Sequence, residues 1–209
     1  MRALFRAAAV CMTLPFAEYA RACDTPVSVC SHNMAGAFAI VAGAKPAQLL
    51  VDPSADPALV SAADGFAQDL TRLTGATSPR IQSPAQITGN VVIAGVLGRS
   101  PVIDGLVRTG KIKTSDLVGQ WEAYRQIVVD NPFPGVARAL VIVGADRRGA
   151  VFGLYDLSEK MGVSPWTWWA DVPVQRRSDI FITAGARRDQ PKIRYRGFFI
   201  NDEDPAFSS

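Results

Sequence analysis

The stretch from Asp56 to Gly75 constrains the fold more than any other. Asp56 can cap a helix, Pro57 suits its first turn, and Gly75 supplies a stop. Between them Leu59, Ala63, Phe66, Leu70 and Leu73 recur at spacings of four, three, four and three, which makes one apolar stripe along a helix. A helix apolar on one side needs a surface to cover. Leu49-Leu50-Val51 before it and Val91-Val92-Ile93-Ala94 after it read as buried strands, and Phe38-Ala39-Ile40-Val41 reads as a further one.

The same alternation continues. A short helix is expected from Pro101 to Arg108, then a polar connector over residues 109–120. Tyr124–Val129 and Ala139–Val143 read as a hairpin joined through Pro132, Pro134 and Gly135. Asp146 can cap a second long helix, with Val151, Leu154, Ser158 and Met161 on one face and Gly162 as its stop. Gly149 and Gly153 lie inside this helix, where each costs roughly 1 kcal/mol against alanine. They make sense if the helix backbone presses against a sheet. A phosphate-cradling reading would need G-x-G-x-x-G opening the helix, and that spacing is lacking. The pattern predicts an α/β fold, a small mixed-sheet sandwich with helices packed on it.

Hydrophobic residues make up 48% of the 209, enough for one core. The net charge of +3 is concentrated at the start of the chain. Arg2 and Arg6 precede the apolar run Ala7–Leu14, and Ala20-Arg21-Ala22 is a small-residue cleavage site, so residues 1–22 read as a signal peptide. The apolar run is too short to span a bilayer. Without residues 1–22 the chain holds 19 basic and 18 acidic residues, which removes the electrostatic case for a nucleic acid partner. The expected location is periplasmic or extracellular, with no membrane partner. A lipid on Cys23 is the alternative, though Ala20 and Arg21 suit a lipid-attachment box poorly. In an oxidising compartment Cys23 and Cys30 could close a small loop, or they could remain free thiols in a loose N-terminus. His32 is the only histidine, so no Cys/His cluster has the spacing of a zinc site.

The composition changes after residue 162. Trp166, Trp168 and Trp169 fall within four positions, where they either stack on sugar rings or close a core. Residues 176–192, with Arg176, Arg177, Arg187, Arg188 and Lys192, read as a linker or an exposed strand. Residues 193–200 read as a last strand, ending in Asn201-Asp202-Glu203-Asp204. Carboxylates at the end of a strand suit the rim of a (β/α)8 barrel and the paired acids of glycoside hydrolysis, or else a solvated turn. Glu159 shares a helix face with Phe152 and Tyr155, apart from the main stripe, so that face is free to meet another domain or solvent.

The runs Gly144–Glu159, Gly162–Pro173 and Tyr195–Glu203, together with Gly119-Gln120-Trp121-Glu122, resemble glycoside hydrolase family 115 in its N-terminal part. The resemblance implies an α-glucuronidase that removes glucuronic acid, or its 4-O-methyl form, from glucuronoxylan or aldouronic oligosaccharides. Inversion without a cofactor or metal is also implied, and a homodimer is among the assemblies allowed for the full-length protein. By the same resemblance Asp202 and Glu159 are catalytic, and Asn201, Glu203 and Trp169 bind substrate. The implied organisation is a signal peptide (1–22), an α/β domain like that preceding the barrel in hexosaminidases (23–175), a linker (176–192), and the first strand of a truncated (β/α)8 barrel (193–209). An isolated chain of this kind is expected to be inactive, and a non-catalytic carbohydrate-binding module is the alternative.

Export is expected to remove residues 1–22, so mass spectrometry of the secreted protein should find Cys23 first. An intact Met1 or a lipidated Cys23 would contradict this.

Overall fold

A computed structural model describes residues 23–167, 170–197 and 199. Ten strands and three α-helices follow in the order β1 (Val29–Cys30), β2 (Phe38–Ala42), β3 (Lys45–Pro46), β4 (Gln48–Val51), α1 (Pro57–Thr74), β5 (Arg80–Ile81), β6 (Val91–Val96), α2 (Pro101–Arg108), β7 (Tyr124–Asp130), β8 (Arg138–Gly144), α3 (Arg147–Lys160), β9 (Ile180–Ile182) and β10 (Ala186–Asp189). Six strands form a mixed sheet in the order β10-β7-β8-β6-β4-β5. Its β5, β4, β6 and β8 run parallel, β7 pairs antiparallel with β8, and β10 pairs antiparallel with β7. A second, antiparallel sheet has the order β1-β9-β2-β3.

The local signals read from the sequence operate as expected. Asp56 accepts a hydrogen bond from the Ala58 amide at 2.9 Å, Pro57 occupies the first turn of α1, and Gly75 ends it in the left-handed conformation with φ of 80°. Leu59, Ala63, Phe66, Leu70 and Leu73 are buried together with β2, β4 and β9. On the opposite sheet face, Ile103 and Leu106 of α2 cover Leu50, Ile93, Val141 and Val143. The central strands are therefore buried on both faces, which is why β6 is a continuous apolar run rather than an alternating one.

Helix α3 packs by its small residues. A Cβ on Gly149 would collide with the backbone carbonyl of Ala123, and one on Gly153 would lie 2.6 Å from Ile142 Cγ2. The buried face consists of Gly149, Ala150, Gly153, Leu154, Leu157 and Ser158. Val151, expected on that face, is only half-buried. The glycines draw the helix onto the strand ends and rotate the contact line toward themselves.

Two expectations change. Residues 176–192 are not a linker, since β9 is the second strand of the small sheet and β10 is the edge of the large one. Ile180, Phe181 and Ile182 were masked in the sequence by flanking arginines, yet all three are buried. The arginines of β10 blunt an exposed edge. Arg187 pairs with Asp156 at 2.9 Å and with Asp189 at 2.6 Å. The second change concerns residues 193–197, which form no strand and lie exposed, while Phe199 is 92% exposed. With no neighbouring strand to pair with among the described residues, an apolar extended segment gains nothing from regular structure.

The left-open question at the N-terminus is answered by a Cys23–Cys30 disulfide. It joins the start of the described chain to β1, beside Phe181.

Replacing Gly149 with alanine should lower stability by about 2 kcal/mol, because overpacking of about 3 kcal/mol outweighs a helix-propensity gain of about 1. Gly65 of α1 has open space around its would-be Cβ. Gly65→Ala should therefore raise stability slightly, and urea midpoints of the two variants should move in opposite directions. Amide exchange supplies a second check: residues 193–197 should exchange at nearly free rates while α1 remains protected. Strong protection of 193–197 would show that this segment belongs to the core.

Candidate functional site

The outward face of α3 carries Phe152, Tyr155 and Glu159. Capping of the helix by Asp146, whose Oδ1 accepts from the Gly149 amide at 2.8 Å, sets where that face points. The other oxygen of Asp146 accepts from the Glu122 amide at 2.7 Å. One carboxylate thus joins the start of α3 to the loop before β7.

Phe152, Tyr155 and Glu159 help to line a cavity of about 390 Å3, together with Tyr124, Asp156 and Arg196. On its far side Tyr155 and Glu159 also border a groove of about 550 Å3 between α1 and α3. Glu159 is exposed, and its carboxylate makes no hydrogen bond or ion pair with the described residues. It stands on the ridge between two cavities, able to accept from a ligand hydroxyl.

The cavity floor is a charge network. Asp156 accepts from Lys160 at 2.7 Å and from Arg187 at 2.9 Å. Lys160 also reaches Gln126 Oε1 at 3.3 Å, and Gln126 Nε2 donates to the Gly153 carbonyl at 2.8 Å. Burial raises the Tyr124 phenol far above its ordinary value, and the neighbouring charges of Asp156 and Asp189 push the same way. Burial lowers the Lys160 ammonium, which Asp156 partly offsets. These groups hold the wall rigid and keep Tyr124 protonated, so it serves there as a neutral phenol.

Nothing in the local sequence around Glu122 marks it for a role. Its side chain is 8% exposed and its backbone adopts φ of 53°. Its carboxylate pairs with Arg148 at 3.0 Å and with Arg196. Both guanidinium carbons lie 5.7 Å from the centre of the Phe152 ring. This clasp ties residue 196 to the start of α3. Its partners are separated by up to 74 residues, so no local pattern announces it.

Of the expected site residues, Glu159 is placed as described. Asp202, Asn201, Glu203 and Trp169 lie outside the described residues. Trp166 is 61% exposed in a single 3-10 turn, Pro165–Thr167.

No protein-family model matches the chain, and no curated protein sequence does. Among solved structures, a family GH115 4-O-methyl-α-glucuronidase, BtGH115A, reported to be specific for decorated arabinogalactans, aligns at 30% identity and a TM-score of 0.66. The alignment covers 80% of this chain and 20% of that enzyme, so the chain spans about one fifth of its length. Another structure, CpGH84D, aligns at 12% identity with a TM-score of 0.41, over 76% of this chain and 22% of its own. That likeness is too low to carry an argument. The first match is consistent with the N-terminal portion of family GH115, to which the sequence motifs also point.

Proposed function

We propose that this chain is the N-terminal part of an exported α-glucuronidase that removes glucuronic acid, or its 4-O-methyl form, from the side chains of a polysaccharide such as glucuronoxylan. The observation that carries the reading is the match to BtGH115A over 80% of the chain. The carboxylate of Glu159, unpaired among the described residues on a ridge between two cavities, supports it chemically. The Cys23–Cys30 disulfide supports an oxidising, periplasmic or extracellular location after cleavage at Ala22.

In this reading Asp202 and Glu159 act as catalytic groups, with Asn201, Glu203 and Trp169 holding the sugar. Inversion needs an acid and a base roughly 6.5–9.5 Å apart across the anomeric carbon, so that water fits on one side. One acid protonates the departing oxygen, and the other carboxylate takes a proton from the attacking water. Glu159 is exposed on a rigid helix, which suits a group that must meet substrate while the remaining machinery comes from the catalytic barrel.

Release of glucuronic acid from aldouronic oligosaccharides tests the proposal. The 209-residue chain alone should release none, and turnover above a boiled control would contradict the division of labour. In the longer enzyme, Glu159→Gln should lower kcat by about 10²–10⁴-fold with little change in KM. Unchanged kcat would remove Glu159 from the mechanism.

A further inference from the structure

We infer that the groove between α1 and α3 is a subsite for uncharged pyranose units of the polysaccharide backbone. The inference rests on the glycoside hydrolase reading above. The groove holds about 550 Å3 and is lined by, among others, Ser61, Gln68, Asp69, Tyr155, Ser158 and Glu159. That volume falls within the range of about 300–1,000 Å3 typical of small-ligand sites.

The lining chemistry matches sugar hydroxyls. Hydroxyl, amide and carboxylate groups from two helices stand beside one another, able to donate to and accept from vicinal hydroxyls. Tyr155, 53% exposed, adds an aromatic ring for the apolar face of a pyranose. Ser158 is buried, and its hydroxyl has no hydrogen-bond partner among the described residues. An unmatched buried hydroxyl costs free energy, and Ser158 is among the residues that line the groove.

Charge decides which sugar fits. Of the lining carboxylates, Asp64 is paired with Arg80 and Asp69 with Arg72 at 2.8 Å, which leaves Glu159 as the one without a cationic partner among the described residues. A uronate here would meet the unpaired Glu159 carboxylate, a charge of its own sign. A neutral pyranose instead offers hydroxyl donors to carboxylate acceptors.

Xylan and galactan backbones share this hydroxyl chemistry, so both are probes. Nitrogen-15 spectra of the chain should be titrated separately with xylotetraose, a β-1,3-linked galactotetraose and glucuronic acid. At least one neutral oligosaccharide should give saturable shifts at Gln68, Tyr155 and Glu159, and the stronger of the two identifies the backbone. Gln68 and Tyr155 are exposed, so Gln68→Ala and Tyr155→Ala should leave the melting temperature in place while weakening the interaction at least tenfold. Three results would each overturn the inference: no saturable shift with either neutral sugar, shifts undiminished in both variants, or tighter binding of glucuronic acid than of both neutral sugars. Glucuronic acid release by the longer enzyme is a separate readout, so failure of the groove and failure of the glucuronidase reading can be told apart.

Discussion

The close approach of α3 to the sheet is the contact on which the rest of this structure depends. Gly149 and Gly153 let the helix backbone lie against Ala123, Tyr124 and Ile142 without a side chain between. The closeness turns Ala150, Leu154 and Leu157 into the core and leaves Phe152, Tyr155 and Glu159 pointing away from it. Larger residues at the two glycine positions would lift and rotate the helix. Both cavities would then change shape, because Tyr155 and Glu159 border each of them.

Charge is handled differently on the two sides of that helix. Between α3 and β10, Asp156, Asp189, Lys160 and Arg187 form a network in which almost every charge has a partner within hydrogen-bond distance. The pairing lets charged side chains sit half-buried at a sheet edge that would otherwise be open to association. At the start of the same helix, Glu122 is more deeply buried and is answered by two arginines that also flank Phe152. Removal of either arginine would leave the carboxylate with one partner in a nearly dry position. By contrast, Glu159 carries no such commitment among the described residues, which separates a carboxylate available for ligand chemistry from those used to hold the fold together.

Much of this architecture was legible from residues 38–162. Helix caps and apolar periodicity act within a few residues, so Asp56, Pro57 and Gly75 bound α1 where expected, and Asp146 caps α3. The two internal glycines of α3 implied a close sheet contact, and the contact is present. Residues 176–192 were harder to read. A three-residue apolar strand between arginine pairs has too little periodicity to register, and its burial depends on β1 and β2, which lie about 140–150 residues earlier in the chain. The reverse error arose at residues 193–197, where apolar composition suggested a strand but the described residues offer no edge for one to join.

By itself, the sequence determined the alternation of strands and capped helices, the candidacy of Glu159 on a separate helix face, and the resemblance to family 115. These follow from spacings of a few residues and from long ordered motifs. Only the tertiary structure decided that β9 and β10 complete the two sheets, that Glu122 gathers Arg148 and Arg196 around Phe152, and that Tyr155 and Glu159 divide one groove from another. Each of these joins residues far apart in the chain. Their meeting depends on how the helices seat against the sheet, and local propensity carries no information about that seating.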